Sequence, residues 1–181
     1  MNNKNQEEFI QWNLESTAQL LSSSSGYSPV LVVRPSRFES NFSCFDNFVA
    51  CNKIGSPSHQ PNYNSLQHMA SLLESTDAKL IDLGLNPLTD YRLIFIGFSK
   101  GCVVLNQFVH EFCHYYSNLQ LRIANRKVFE MIGRIKKMFW IDGGHSGRKD
   151  TWITSSRILS ALAKMGQLFP VKIKLKTNNV N

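Results

Sequence analysis

Arg92-Leu-Ile-Phe-Ile-Gly97-Phe98-Ser99-Lys100-Gly101-Cys-Val-Val-Leu-Asn-Gln-Phe-Val109 decides how this chain is read. Ile94, Phe95 and Ile96 form an apolar run short enough for a buried strand. Gly97-Phe98-Ser99-Lys100-Gly101 then fits the pattern G-x-S-x-G. From Cys102 onward, Val104, Leu105, Phe108, Val109 and Phe112 recur at helical spacing. Strand, tight turn and helix are the setting that a nucleophile elbow requires.

The chemistry of such an elbow accounts for the residue types. A nucleophile standing at the top of a sheet sits on a cramped turn, where the flanking chain passes too close for β-carbons. Gly97 and Gly101 would remove them. Ser99 would then project its hydroxyl, and the Lys100 N–H would point to where an oxyanion develops. The plainer alternative is a strand–helix turn in which Ser99 is an ordinary N-cap.

Outward from this stretch, strand and helix patterns alternate. Residues 7–21 give a helix with Phe9, Ile10, Leu14, Ala18 and Leu21 on one stripe, and Val30-Leu-Val-Val33 reads as a short strand. Residues 36–62 read as a long loop studded with Phe38, Phe42, Phe45 and Phe48, which either covers a site or plugs the core. Residues 64–83 form a helix stopped by Gly84 and Pro87. A helix over 119–135, a strand over 138–141, a helix over 154–165 and a strand over 169–175 follow. The predicted class is α/β, a mostly parallel sheet flanked by helices and joined by right-handed crossovers. The 181 residues suit a single domain, and 43% hydrophobic residues with twelve phenylalanines can build a core.

The net charge is +7, but the basic residues are scattered, with small concentrations at 134–137 and 172–176. No arginine-rich tract interleaved with aromatics marks a nucleic-acid face, so no nucleic-acid partner is expected. Cys44, Cys51, Cys102 and Cys113 make no C-x-x-C pair and read as reduced thiols. No apolar run is long enough for a transmembrane helix. The first residues, Met-Asn-Asn-Lys-Asn-Gln-Glu-Glu, do not resemble a mitochondrial presequence.

In parallel sheets, sites gather at the C-terminal strand ends. Ser99 lies at one such end, and Asp142 follows the next strand, where it would orient a histidine or simply serve the turn before Gly143. His145 is the only histidine after it, so Ser99, Asp142 and His145 match the hydrolase chain order of nucleophile, acid and base. His110-Glu111-Phe112-Cys113-His114 offers a separate pattern, H-E-x-x-H, which on a helix sets two imidazoles for zinc with Glu111 as base. Its third ligand is missing nearby, although Glu130 can be proposed, and two histidines on a helix end are the plainer reading. No metal or other cofactor is therefore predicted.

Four motifs in order resemble one family: Arg34-Pro-Ser-Arg37, Phe42-Ser-Cys-Phe-Asp-Asn-Phe48, Gly97 to Gln107, and Trp140-Ile-Asp-Gly-Gly-His-Ser-Gly147, with Thr151-Trp152 beyond. The family is the mitochondrial, α/β-hydrolase-like one whose human member is named only as a chromosome 2 open reading frame. The resemblance covers about residues 12–166 and leaves out the H-E-x-x-H and the stretch 171–181. It implies a partial α/β-hydrolase-like fold, mitochondrial localisation, and a truncated member lacking N- and C-terminal parts, including the second oxyanion donor and the late histidine loop. The function expected is hydrolysis of an ester, thioester or amide in a small-molecule or acyl substrate by Ser99. The alternatives are a catalytically silent hydrolase-fold protein acting through binding, and a zinc hydrolase using His110, Glu111 and His114.

Overall fold

The computed structural model describes residues 13–26, 29–39, 42–53, 56–143, 152–168 and 172–176. The chain divides into two compact units, Met1–Pro35 and Ser36–Asn181. In the first, helix α1 spans Leu14–Ser25. The Asn13 side chain caps it by accepting from the Ser16 N–H at 2.6 Å. The sequence predicts an end at Leu21, yet the helix runs on through the serines to Gly26. The Ser23 hydroxyl donates back to the Gln19 and Leu20 carbonyls and so stays within the helix. Val30–Val33 is not a strand: the run has no ladder partner among the described residues, and β-propensity without cross-strand pairs does not make one.

The second unit opens with two small antiparallel hairpins, β1 (Arg37–Glu39) with β2 (Phe42–Cys44) and β3 (Ala50–Cys51) with β4 (Pro57–Ser58). The long loop predicted for 36–62 thus carries paired structure, and of its phenylalanines Phe48 enters the core while Phe38 and Phe42 remain exposed. Helix α2 (Ser65–Asp82) and a 3-10 turn (Leu88–Asp90) lead to strand β5 (Leu93–Phe98) and helix α3 (Gly101–Tyr116). The helix predicted over 119–135 is two, α4 (Leu119–Ala124) and α5 (Arg126–Arg134). Asn125 breaks it at φ −122°, ψ 50°, its amide donating to the Leu121 carbonyl and its oxygen accepting from Gln67. Strand β6 (Ile135–Ile141), helix α6 (Ser156–Leu168) and strand β7 (Lys172–Lys176) close the order.

The three later strands form one parallel sheet in the order β5-β6-β7. With the helices this is a mixed architecture of the broad α/β class. Helix α3 is its hub, touching β5, β6, α2, α4 and α6. Cys102 to Val109 are all buried on it, and Phe108 packs edge-on to both Phe48 and Phe95. Three polar residues on the same helix are buried too. Asn106 accepts from the Trp140 indole N–H at 3.0 Å, tying α3 to β6. Gln107 exchanges two hydrogen bonds with the backbone of Gln60. Glu111, fully buried, accepts from the backbone N–H groups of Tyr63, Ser65 and Leu66 at 2.8–2.9 Å. The Ser65 and Leu66 groups are the first donors of α2, whose own N-cap, Asn64, makes no side-chain capping bond. A carboxylate from another helix therefore caps α2, where the dipole favours negative charge.

The approach of β5 to α3 is close. A β-carbon on Gly97 would lie 2.9 Å from the carbonyl carbon and oxygen of Gly101 and 3.0 Å from the Cys102 Cα. Gly101 differs from its predicted role: a β-carbon there would meet nothing within 4 Å. Its backbone is the wall that Gly97 must clear.

Glu111→Ala should lower stability by roughly 2–4 kcal/mol, because it strands buried backbone donors. An unchanged urea midpoint would contradict the capping role. Gly97→Ala should cost about 1–3 kcal/mol through backbone overlap. Gly101→Ala, at the first helical position, should be neutral or gain up to about 1 kcal/mol from helix propensity. Equal effects in thermal melts would refute this asymmetry.

Candidate functional site

Ser99 and Lys100 form the turn between β5 and α3. Ser99 is half-buried with φ at +50°, the left-handed region that a non-glycine residue enters only under constraint. Its N–H donates to the Ile141 carbonyl at 2.9 Å, continuing the β5–β6 ladder one residue past Phe98, which pairs with Ile141. The turn is thus tied to the neighbouring strand end while α3 departs from it. Cys102 and Val103 donate to the Ser99 and Lys100 carbonyls, starting the helix tightly. The positive end of the α3 dipole faces the same spot.

Asp142 follows Ile141 directly, also with positive φ, at +51°. The parallel register therefore sets Ser99 and Asp142 at the C-terminal ends of adjacent strands, one residue beyond the pair Phe98 and Ile141. His145 lies outside the described residues. Past Asp142, Gly143 is buried against Cys102, and a β-carbon on it would stand 3.2 Å from the sulfur and 3.4 Å from the Trp152 ring.

The Lys100 side chain is only 7% exposed, and its Nζ lies 5.2 Å from the centre of the Phe42 ring. Phe42 of β2 is thereby brought beside the turn, a neighbour with no periodic signal in the sequence. Cys102, the nearest thiol to Ser99 in sequence, lies 3.2 Å from the Gly97 carbonyl and 3.5 Å from that of Ile141. Burial pushes its pKa up, with the Asp142 charge adding to the rise, so it is a packing thiol rather than a thiolate. The four cysteines are free thiols.

The H-E-x-x-H residues lie elsewhere. His110 is nine residues into α3, roughly 14 Å along the axis from its start. It stacks on His59 at 5.2 Å, and His114 meets the Tyr115 ring edge-on. Both oxygens of Glu111 are engaged by α2 donors, and its charge together with burial pushes the Tyr115 hydroxyl up to about 12, burial being the larger cause. Among the described residues no group of three or more His, Cys, Asp or Glu is placed to hold a metal ion. No described helix is long and apolar enough to cross a membrane.

Comparison with known proteins gives a consistent answer. The family model described as C2orf69 matches residues 1–86 and 81–174. A zebrafish (Danio rerio) protein named mitochondrial protein C2orf69 homolog is 32% identical over 167 residues, covering 86% of this chain and 47% of its own length. The Mus musculus homolog is 29% identical over 202 residues, and the Homo sapiens mitochondrial protein C2orf69 is 28% identical over 203. Both again cover 86% of this chain, and 53% and 51% of their own lengths. The chain thus spans about half the length of the curated relatives it matches. The mitochondrial localisation expected from the resemblance agrees with the names these relatives carry. No solved structure matches. Motif order, family match and relatives converge, and the chain belongs to the C2orf69 family.

Proposed function

We propose that this chain is a serine hydrolase-like protein with a partial α/β-hydrolase-like fold, whose strand–helix turn is a nucleophile elbow. The observation that carries the reading is Ser99 at φ +50°, on a turn where Gly97 has no room for a β-carbon. An ordinary N-cap serine has extended backbone and needs neither feature. The strain raises the hydroxyl above the strand ends, which is what a nucleophile on a sheet requires.

In the proposed reaction the Ser99 Oγ attacks the carbonyl carbon of an ester, thioester or amide. Its proton passes to His145 as general base, oriented by Asp142. Charge developing on the carbonyl oxygen is met by the Lys100 N–H at the positive end of α3. The tetrahedral intermediate collapses as the alcohol, thiol or amine takes the proton from His145 and leaves. Water then attacks the Ser99 ester, its proton passing to His145, and as the intermediate collapses the Ser99 Oγ takes that proton from His145 and the acid is released. The relatives' names point to mitochondria as the place of this activity.

A role through binding without turnover is favoured by one observation, the apolar side chains of Ile96 and Phe98 left exposed on β5. The zinc reading of His110, Glu111 and His114 has geometry against it, since Glu111 could act as base only by abandoning the cap of α2.

A fluorophosphonate probe should label the folded chain and lose that labelling in Ser99→Ala. Cys102→Ala should keep it. Labelling should rise with pH as the base loses its proton, because the base must be neutral to accept one. Asp142→Asn should slow it by roughly a hundredfold or more. A folded chain that stays unlabelled at every pH would overturn the enzyme reading and leave the binding one.

A further inference from the structure

The peptide that joins Ser99 to Lys100 is fastened at its carbonyl end, which accepts from the Cys102 N–H at 3.0 Å. In a trans peptide the N–H points opposite to the C=O, so the Lys100 N–H faces away from the body of α3. An oxyanion donor beside Ser99 needs that direction. Helix ends fray, and one such bond does not by itself hold the peptide plane. The second point of attachment is the Lys100 side chain.

A buried lysine at this position runs against two general preferences. Lys100 is the N-cap of α3, where the dipole disfavours a cation, and burial disfavours an ammonium anywhere. The Phe42 ring, 5.2 Å from Nζ, offers its negative face to the charge. The hairpin that carries Phe42 is braced by charged and polar groups with no part in the proposed reaction. Cys44 stands opposite Arg37 in the β1–β2 register. The Arg37 Nε donates to Asp46 at 2.7 Å, and its Nη2 donates to the Asn52 carbonyl beside β3 at 3.3 Å. The Ser36 hydroxyl accepts from the Asp46 N–H and donates to the Cys44 carbonyl, each at 2.9 Å. Cys44 shares a face of β2 with Phe42 and is 1% exposed, so that face is the inward one. We infer that Phe42 is a positioning residue: with the Lys100 side chain it clamps the Ser99–Lys100 peptide and keeps the Lys100 N–H aimed at the oxyanion. This role rests on the nucleophile reading of Ser99. Substituting either side chain leaves the backbone donor in place and loosens its aim.

The test uses the full chain and three variants. Phe42→Leu keeps an apolar side chain without the ring, Phe42→Tyr keeps the ring, and Lys100→Met keeps the stem without the charge. Nitrogen-15 relaxation of the Lys100 amide should give an order parameter near about 0.85 in the unaltered chain. In Phe42→Leu and Lys100→Met it should fall toward about 0.6, with the amides of residues 103–109 unchanged. The rate constant for acylation by p-nitrophenyl acetate should drop roughly tenfold in both, at an unchanged half-saturating ester concentration, because the oxyanion contact is made only in the transition state. Phe42→Tyr should match the unaltered chain. Combining Phe42→Leu with Lys100→Met should be no slower than either alone, since both remove one contact. Circular dichroism checks that each variant is folded. A Lys100 amide that stays rigid in Phe42→Leu would overturn the clamp whatever the rates do. So would acylation that slows in Lys100→Met but not in Phe42→Leu, which would assign the effect to the ammonium charge itself. An unaltered chain that is folded yet never acylated, with the amide loosened in Phe42→Leu, would sink the nucleophile reading and the positioning role with it, while the clamp stood as architecture.

Discussion

The approach of strand β5 to helix α3 is the constraint on which the rest of the second unit depends. At 2.9 Å from a would-be Gly97 β-carbon, the Gly101 carbonyl group leaves space for hydrogen and nothing larger. That closeness forces the intervening chain into a two-residue turn and drives Ser99 to positive φ. It also lays α3 against β5 and β6, so that Phe108 reaches Phe95 and Asn106 reaches Trp140. A wider turn would lift the helix and lose these contacts together.

From α3 the order spreads to parts of the chain with little regular structure of their own. Glu111 and Gln107 reach segment 60–66 through backbone hydrogen bonds, fixing where α2 begins. Ser65, held there, donates its hydroxyl to the Phe48 carbonyl, so the hairpin region is anchored through the same point. Buried polar groups of this kind are favourable only when fully satisfied. Asn106, Gln107 and Glu111, all buried on one helix, meet that condition with partners from two separate segments, β6 and residues 60–66. The same geometry gives the turn its chemical character, because the rigid helix behind Ser99 holds a strained backbone in place.

The strand–turn–helix stretch was legible in the sequence because its signals are local: an apolar run, two glycines, then a 3.6-residue period. The parallel pairing of β5 with β6 followed from alternation of elements, and Asp142 was readable as a strand-end residue for the same reason. What was not legible depends on distant partners. Val30–Val33 has strand composition, but composition does not supply a neighbour. Asn125 interrupts an amphipathic pattern that continues in phase on both sides, through hydrogen bonds to Leu121 and Gln67. Glu111 sat inside an H-E-x-x-H whose spacing suggested metal chemistry, while its actual partners lie 45–48 positions earlier in the chain. Phe42 beside Lys100 is equally non-local. His145 lies outside the described residues, so the base of the proposed triad rests on chain order alone.

The central claim is that Ser99 is an activated nucleophile. Arg92 and Lys100 frame a tryptic peptide, residues 93–100, in which Ser99 is the only hydroxyl. The direct measurement is the mass of that peptide after brief reaction of the folded chain with p-nitrophenyl acetate and an acid quench. Attack by Ser99 forms an acetyl ester and expels nitrophenolate, so the peptide should gain one acetyl group, and the denatured chain should not. A peptide that stays unmodified in the folded protein, or is modified equally after denaturation, would contradict the account.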